Sequence, residues 1–99
     1  MINSERLSNF VNDILSHFDE MQQLDILEEE CAELIQAVSK CKRARAYRDL
    51  DYRRQNLIEE MAHVTVSMAV VARILNISEE DILAAINKKT NKYGFEQVK

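Results

Sequence analysis

The chain holds no proline and a single glycine, Gly94, in 99 residues. Sheet-rich folds need both residue types at their turns, so their scarcity nearly excludes such a fold. It equally excludes a Gly/Pro-rich linker. What remains is a chain of helices. Its length suits one domain, read here as residues 1–99, with no room for a second core. A chain of this size buries only about 60–65% of its unfolded surface, and partner chains often complete such cores.

Hydrophobic residues make up 46% and charged residues 30%, as in ordinary globular domains. The formal charge of −4 argues against a nucleic-acid partner. The most apolar stretch, Met61 to Leu75, is interrupted by His63 and Arg73 and is too short to cross a membrane. The first ten residues, MINSERLSNF, carry no apolar signal core. Cys31 and Cys41 stand ten positions apart in one helical pattern. At 1.5 Å rise per residue that is ~15 Å, too far for a disulfide. Free thiols fit a reducing compartment, so the expected location is the cytoplasm. No Cys/His cluster suggests zinc.

Apolar spacing defines four helical segments. The first carries Leu7, Phe10, Val11, Ile14, Leu15 and Phe18 on one face. The second carries Leu24, Leu27, Cys31, Leu34, Val38 and Cys41, which places both cysteines in the core. The third runs from about Leu57 to Leu75, with a main stripe of Leu57, Met61, Val64, Met68, Val71, Ala72 and Leu75. Val66, Val70 and Ile74 lie off that stripe, so its second half is apolar nearly all round. Such a helix is buried on several sides, which implies an oligomer. The fourth opens with Ser78 as N-cap and Asp81 as its capping-box partner, with Ile77 and Ile82 spaced as a staple. Ile82, Ile86 and Tyr93 continue its inward face, and Gly94 stops it.

Charge is segregated. Asp19 to Glu33 holds seven acids and no Lys or Arg, whereas Lys40 to Arg54 holds seven bases and two acids. Glu30 and Glu33, three apart, stand on one face of the second helix beside its apolar stripe. Glu60 borders the stripe of the third helix, and His63 follows three residues later. Glu59 stands four before His63 and within its reach. If the two helices pack side by side, the Glu30/Glu33 and Glu60/His63 pairs converge. Carboxylates that close repel unless a cation compensates them. Oxygen ligands on facing helices suit Mg²⁺. Glu28 reads as a solvated neighbour. The basic stretch, Lys40 and Arg43 included, reads either as a solvated surface or as a phosphate clamp beside the metal. Tyr47 and Tyr52 within it are placed either to stack on a base or to pack on the bundle. His17 reads as a helix-end histidine.

The segments QLDILEEECAELIQAVSKCKR, NLIEEMAHVTVSMAVVARIL and INKKTNKYG together resemble the MazG-like all-α nucleoside triphosphate pyrophosphohydrolases, in their short single-domain form. The resemblance spans about Gln23 to Gly94. The family pattern is ExxE on one helix and ExxD on the next. Here the first half is Glu30-Cys31-Ala32-Glu33 and the second aligns with Glu60-Met61-Ala62-His63. The resemblance implies a four-helix MazG-like bundle completed by oligomerisation, as a homodimer or homotetramer. It implies a Mg²⁺-dependent hydrolase cutting a nucleoside triphosphate to the monophosphate and pyrophosphate. Glu30, Glu33 and Glu60 would be ligands. Lys40, in AVSK, and Lys92, in KYG, would contact phosphate, with Lys89 and Arg43 as further cations.

His63 departs from the family aspartate, and Phe95 and Glu96 follow KYG where an arginine is often found. Imidazole is a poor Mg²⁺ ligand and a better one for Mn²⁺, Co²⁺ or Zn²⁺. Three outcomes are open: His63 binds a softer metal such as Mn²⁺, Glu59 supplies the missing carboxylate, or the site is weakened. In the mechanism a water attacks in line, and Glu33, if not fully engaged by metal, is its base. Two alternatives stand beside this expectation. One is a weak or inactive nucleotide-binding protein on the same bundle; the other is a structural helical interaction module.

Overall fold

The structure, a computed structural model, describes residues 4–44 and 46–99. It contains α1 (Ser4–His17), α2 (Glu20–Lys42), α3 (Tyr47–Ile74) and α4 (Glu79–Tyr93), with no strand among the described residues. The all-α expectation therefore holds. No single helix is long and apolar enough to cross a membrane.

Asp19 starts α2: its backbone is extended and its side chain accepts the amide of Met21. A side-chain acceptor there satisfies one of the donors a helix start leaves free. Helix α3 begins at Tyr47, ten residues before the expected start near Leu57. The basic stretch is thus mostly helix, with only residues 43–46 joining α2 to α3. Nothing from 47 to 56 breaks a helix, and Asp49 pairs with Arg53 one turn on at 3.3 Å. Asn76 ends α3 in a left-handed conformation (φ 55), where its short polar side chain is tolerated. The Ile77 amide then donates to the carbonyl of Ala72 at 2.8 Å, a Schellman closure.

The Ser78–Asp81 capping box forms as read, with each side chain accepting the other residue's amide at 3.0 and 2.9 Å. Gly94 stops α4 at φ 73, and Phe95 donates back to Thr90. Beyond it the chain folds onto α4: the Asn87 amide clasps the backbone of Val98 in both directions. The rings of Tyr93 and Phe95 stack 5.8 Å apart.

Helices α2 and α3 form the main interface, and α1 packs on α3. Arg73 holds that second contact by donating to Asn12 and Ser8 of α1. Helix α4 turns away from α3 by 115° and buries no residue. The core is small: Val11, Ala37, Val64, Val70 and Val71.

Several faces differ from the spacing-based reading. On α2 the buried residues are Gln23 and Ala37, while Val38 and Cys31 are exposed and Cys41 is half-buried. Cys31 is therefore not a core residue. The inward line of α2 is rotated relative to its most apolar stripe. On α3, Val64, Val70 and Val71 are buried, but Met61, Met68 and Leu75 are each more than half exposed. Ile82, Ile86 and Tyr93 of α4 are likewise exposed, so its expected inward face is left largely uncovered. On α1, Val11 is buried but Phe10 and Phe18 are exposed.

Candidate metal centre

Facing turns of α2 and α3 bring Glu30, Glu33, Glu60 and His63 together. One ligand atom from each lies within 4.8 Å of the other three. The two halves arise from ordinary helix spacing: residues three apart share a face, and the α2–α3 interface turns those faces toward each other. His63 Nδ1 sits between the carboxylates, 3.3 Å from Glu30 Oε2 and 3.5 Å from Glu60 Oε2. Glu30 and Glu60 are largely buried at their side chains, 22% and 15% exposed, whereas His63 is half exposed. The cluster therefore has an enclosed floor and an open mouth, where Glu33 also lies exposed.

Two atoms carry the test of whether a cation fits. Glu30 Oε2 and Glu60 Oε2 are both fully enclosed, and neither has a hydrogen-bond partner. Their approach to His63 has the distance of an ion pair without hydrogen-bond geometry. Enclosed carboxylate oxygens left in this state are costly, and a divalent ion among them removes that cost. Three carboxylates and an imidazole are donors that Mg²⁺ or Mn²⁺ accepts.

The other expected residues are placed as follows. Glu59 is exposed and outside the group of four, so the imidazole of His63, not a second carboxylate of α3, stands in it. Lys40 is half-buried on α2, seven residues and two turns beyond Glu33 and so on nearly the same face. Arg43 is the exposed residue that ends α2. Lys89 and Lys92 are exposed on α4, which diverges from α3, so the chain does not bring them to the cluster. Tyr52 is 67% exposed, with the Arg53 guanidinium 5.5 Å from its ring centre. Arg45 and the side chain of Tyr47 lie outside the described residues. His17 ends α1 on the surface with Nδ1 2.8 Å from the carbonyl oxygen of Asp13.

The spacing-based reading missed a cavity. A pocket of about 240 Å³ opens beside the cluster, lined by Phe10, Ile14, Gln23 and Ser67 together with Glu30 and His63 themselves. The signal for it was weak: a glutamine two turns before Glu30 is unremarkable until α1 is known to cover it. A larger hollow of about 770 Å³ lies between α1 and the α3–α4 corner, and none of the cluster residues lines it.

This arrangement of helices, with acids converging between the second and third, defines an all-α protein with a candidate divalent-ion centre. The model of the MazG nucleotide pyrophosphohydrolase domain matches residues 18–93, which contain α2, α3, α4 and the whole cluster. The chain belongs to that family. No curated protein and no solved structure is significantly similar to it.

Proposed function

We propose that this chain is a metal-dependent nucleoside triphosphate pyrophosphohydrolase, working as one domain that cuts between the α and β phosphates. The pair of enclosed oxygens on Glu30 and Glu60 that lack a hydrogen-bond partner carries this reading. In a family whose name describes nucleotide pyrophosphate hydrolysis, that pair is where a divalent ion belongs.

Glu30, Glu60 and Glu33 are assigned as the carboxylate ligands, with His63 as the fourth donor. Bound there, Mg²⁺ or Mn²⁺ supplies neutralising charge and polarises the phosphoryl group under attack. Glu33, the exposed carboxylate at the mouth, accepts the proton of the attacking water. That water attacks the α-phosphorus in line, and the bond to the bridging oxygen breaks to release pyrophosphate. Lys40 stands two turns beyond Glu33 on nearly the same face of α2. It pairs with the departing phosphates, and Arg43 adds charge one turn further on. Lys89 and Lys92 join this role only from another copy of the chain.

Pyrophosphate release from a panel of ribo- and deoxyribonucleoside triphosphates, with Mg²⁺ and Mn²⁺ in parallel, tests the assignment. Release that vanishes in Glu33→Gln and Glu60→Gln, with helix content unchanged, is the expected result. Wild-type rates in those variants would sink it. A second reading follows from His63 Nδ1 standing between two carboxylates: a nucleotide-binding protein with little turnover. It predicts nucleotide binding without pyrophosphate release under either ion.

A further inference from the structure

Tyr52 is an exposed aromatic residue that the metal centre leaves unused. It is 67% exposed, yet its ring is braced. The Arg53 guanidinium lies over the ring, 5.5 Å from its centre, and Asp49 holds that arginine at 3.3 Å. The residues around it on α3 are charged: Arg48 one turn before it, with Asp51 and Arg53 on either side. An apolar partner has little to bury there. A planar ring fixed among cations is instead suited to a base that arrives on a phosphate chain.

The placement of the ring gives the strongest argument. Tyr52 lies nine residues before Met61 on α3, two and a half turns, so it faces away from the exposed methionines. It lies eleven residues before His63, about three turns and ~16 Å, and so on nearly the same side as the mouth of the cluster. Helices α2 and α3 pack together through the short 43–46 connection and run in opposite directions. Glu30 meets His63. Ten residues forward along α2 from Glu30 is Lys40, and eleven back along α3 from His63 is Tyr52. The lysine and the ring therefore stand at one level, with Arg43 and Arg48 beyond them at the corner. Among the described residues, Lys40, Arg43 and Arg48 have no ion-pair partner. Unpaired cations thus lead from the carboxylates to a braced aromatic ring.

We propose that Tyr52 stacks on a second nucleoside, joined to the first through the phosphate chain, so that the chain's substrates include 5′,5′-dinucleoside polyphosphates. The proposal rests on the hydrolase reading above and names a substrate class for that same site. With the α-phosphate at Glu30 and Glu33, the outer phosphates run toward Lys40, and the far nucleoside reaches Tyr52. Arg43 and Arg48 pair with phosphate oxygens beside it. The reaction balances as before. Water attacks the α-phosphorus and gives its proton to Glu33, and the bond to the bridging oxygen breaks. With four phosphates in the chain, that oxygen leaves on a nucleoside triphosphate in place of pyrophosphate.

The test compares each common nucleoside triphosphate with the symmetrical dinucleoside tetraphosphate of the same base. Calorimetric titration with Ca²⁺ in place of Mg²⁺ comes first. The wild-type protein should bind the dinucleoside compound about 10-fold tighter, the range of one base stacked on an aromatic ring. Tyr52→Ala should abolish that advantage and leave affinity for the triphosphate unchanged, while Tyr52→Phe keeps both. Binding needs no turnover, so this arm separates failure of the second subsite from failure of the hydrolase reading. The second arm is kcat/KM with Mg²⁺, where Tyr52→Ala should raise KM for the dinucleoside compound alone. Equal affinity of the wild-type protein for both compounds, or binding of neither, would overturn the proposal. So would a preference that survives Tyr52→Ala, or turnover of triphosphates by a wild-type protein that leaves the dinucleoside compounds intact.

Discussion

At the scale of single residues, the site is a problem of charge. Three carboxylates and a histidine meet within 4.8 Å, and two of their oxygens have no hydrogen-bond partner. Replacing Glu60 by Gln removes one of the repelling charges. The variant should melt at the same temperature or higher without divalent ions, and it should lose most of the rise that Mg²⁺ gives the wild-type protein. A site held at a hundredfold over Kd contributes about 2.7 kcal/mol to folding, and differential scanning calorimetry with and without ion reads that difference. His63→Asp tests the departure from the family pattern. If the imidazole is a compromise at the site, turnover with Mg²⁺ rises several-fold and any preference for Mn²⁺ falls, since carboxylate suits Mg²⁺ better. A fall in turnover with both ions would assign His63 a positive role that the aspartate cannot perform.

At the scale of elements, some features could be read from spacing and others not. The Ser78 cap, the Gly94 stop and the spacings within Glu30-x-x-Glu33 and within Glu60-x-x-His63 depend on residues close in sequence. Local chemistry fixes them whatever packs nearby. The inward faces of α2 and α3 depend on their neighbours, and there the apolar stripe misled: Cys31 is exposed while Gln23 is buried. A buried glutamine is invisible to a hydrophobic pattern, so the cavity was invisible too. The early start of α3 was hidden for another reason, since charged helix formers carry no apolar period to detect.

The cap also supplies a prediction for α4. The Ser78 backbone amide and hydroxyl donate to the Asp81 carboxylate and hold its pKa below the ordinary value. Because the folded value is the lower one, its contribution is complete above the unfolded value, about 3.9, and fades as pH falls through the folded value. Helix α4 should therefore fray below about pH 4 before the α2–α3 pair melts. Ser78→Ala should weaken the helix by about 1 kcal/mol at neutral pH. Since α4 buries no residue, the loss should show as faster amide exchange confined to α4, leaving the main melting transition in place. Global destabilisation by Ser78→Ala would mean that α4 is packed in solution.

At the scale of the whole molecule, the described chain leaves its largest apolar groups uncovered. Met61, Met68 and Leu75 recur every seventh residue along α3 and are 54%, 55% and 55% exposed. Ile58 adds to them from the same helix, and Ile82 and Ile86 stand exposed on α4. Soluble monomers rarely show so continuous a face, and the core that remains is five small side chains. The same geometry strands Lys89 and Lys92 on a helix that leaves the bundle at 115°. One arrangement relieves both conditions: a second copy that covers the methionine line and brings its own α4 lysines toward the cluster, beside Lys40. The expected state is therefore a dimer or a higher even assembly. Met68→Glu tests it, because on an exposed monomer surface that change is nearly neutral, whereas within an interface it buries a charge. Sedimentation velocity should show the wild-type protein above monomer mass and the variant shifted toward monomer, with pyrophosphate release reduced in step. A wild-type monomer that hydrolyses its substrate would show that the exposed face serves no assembly and that Lys40 and Arg43 hold the phosphates alone.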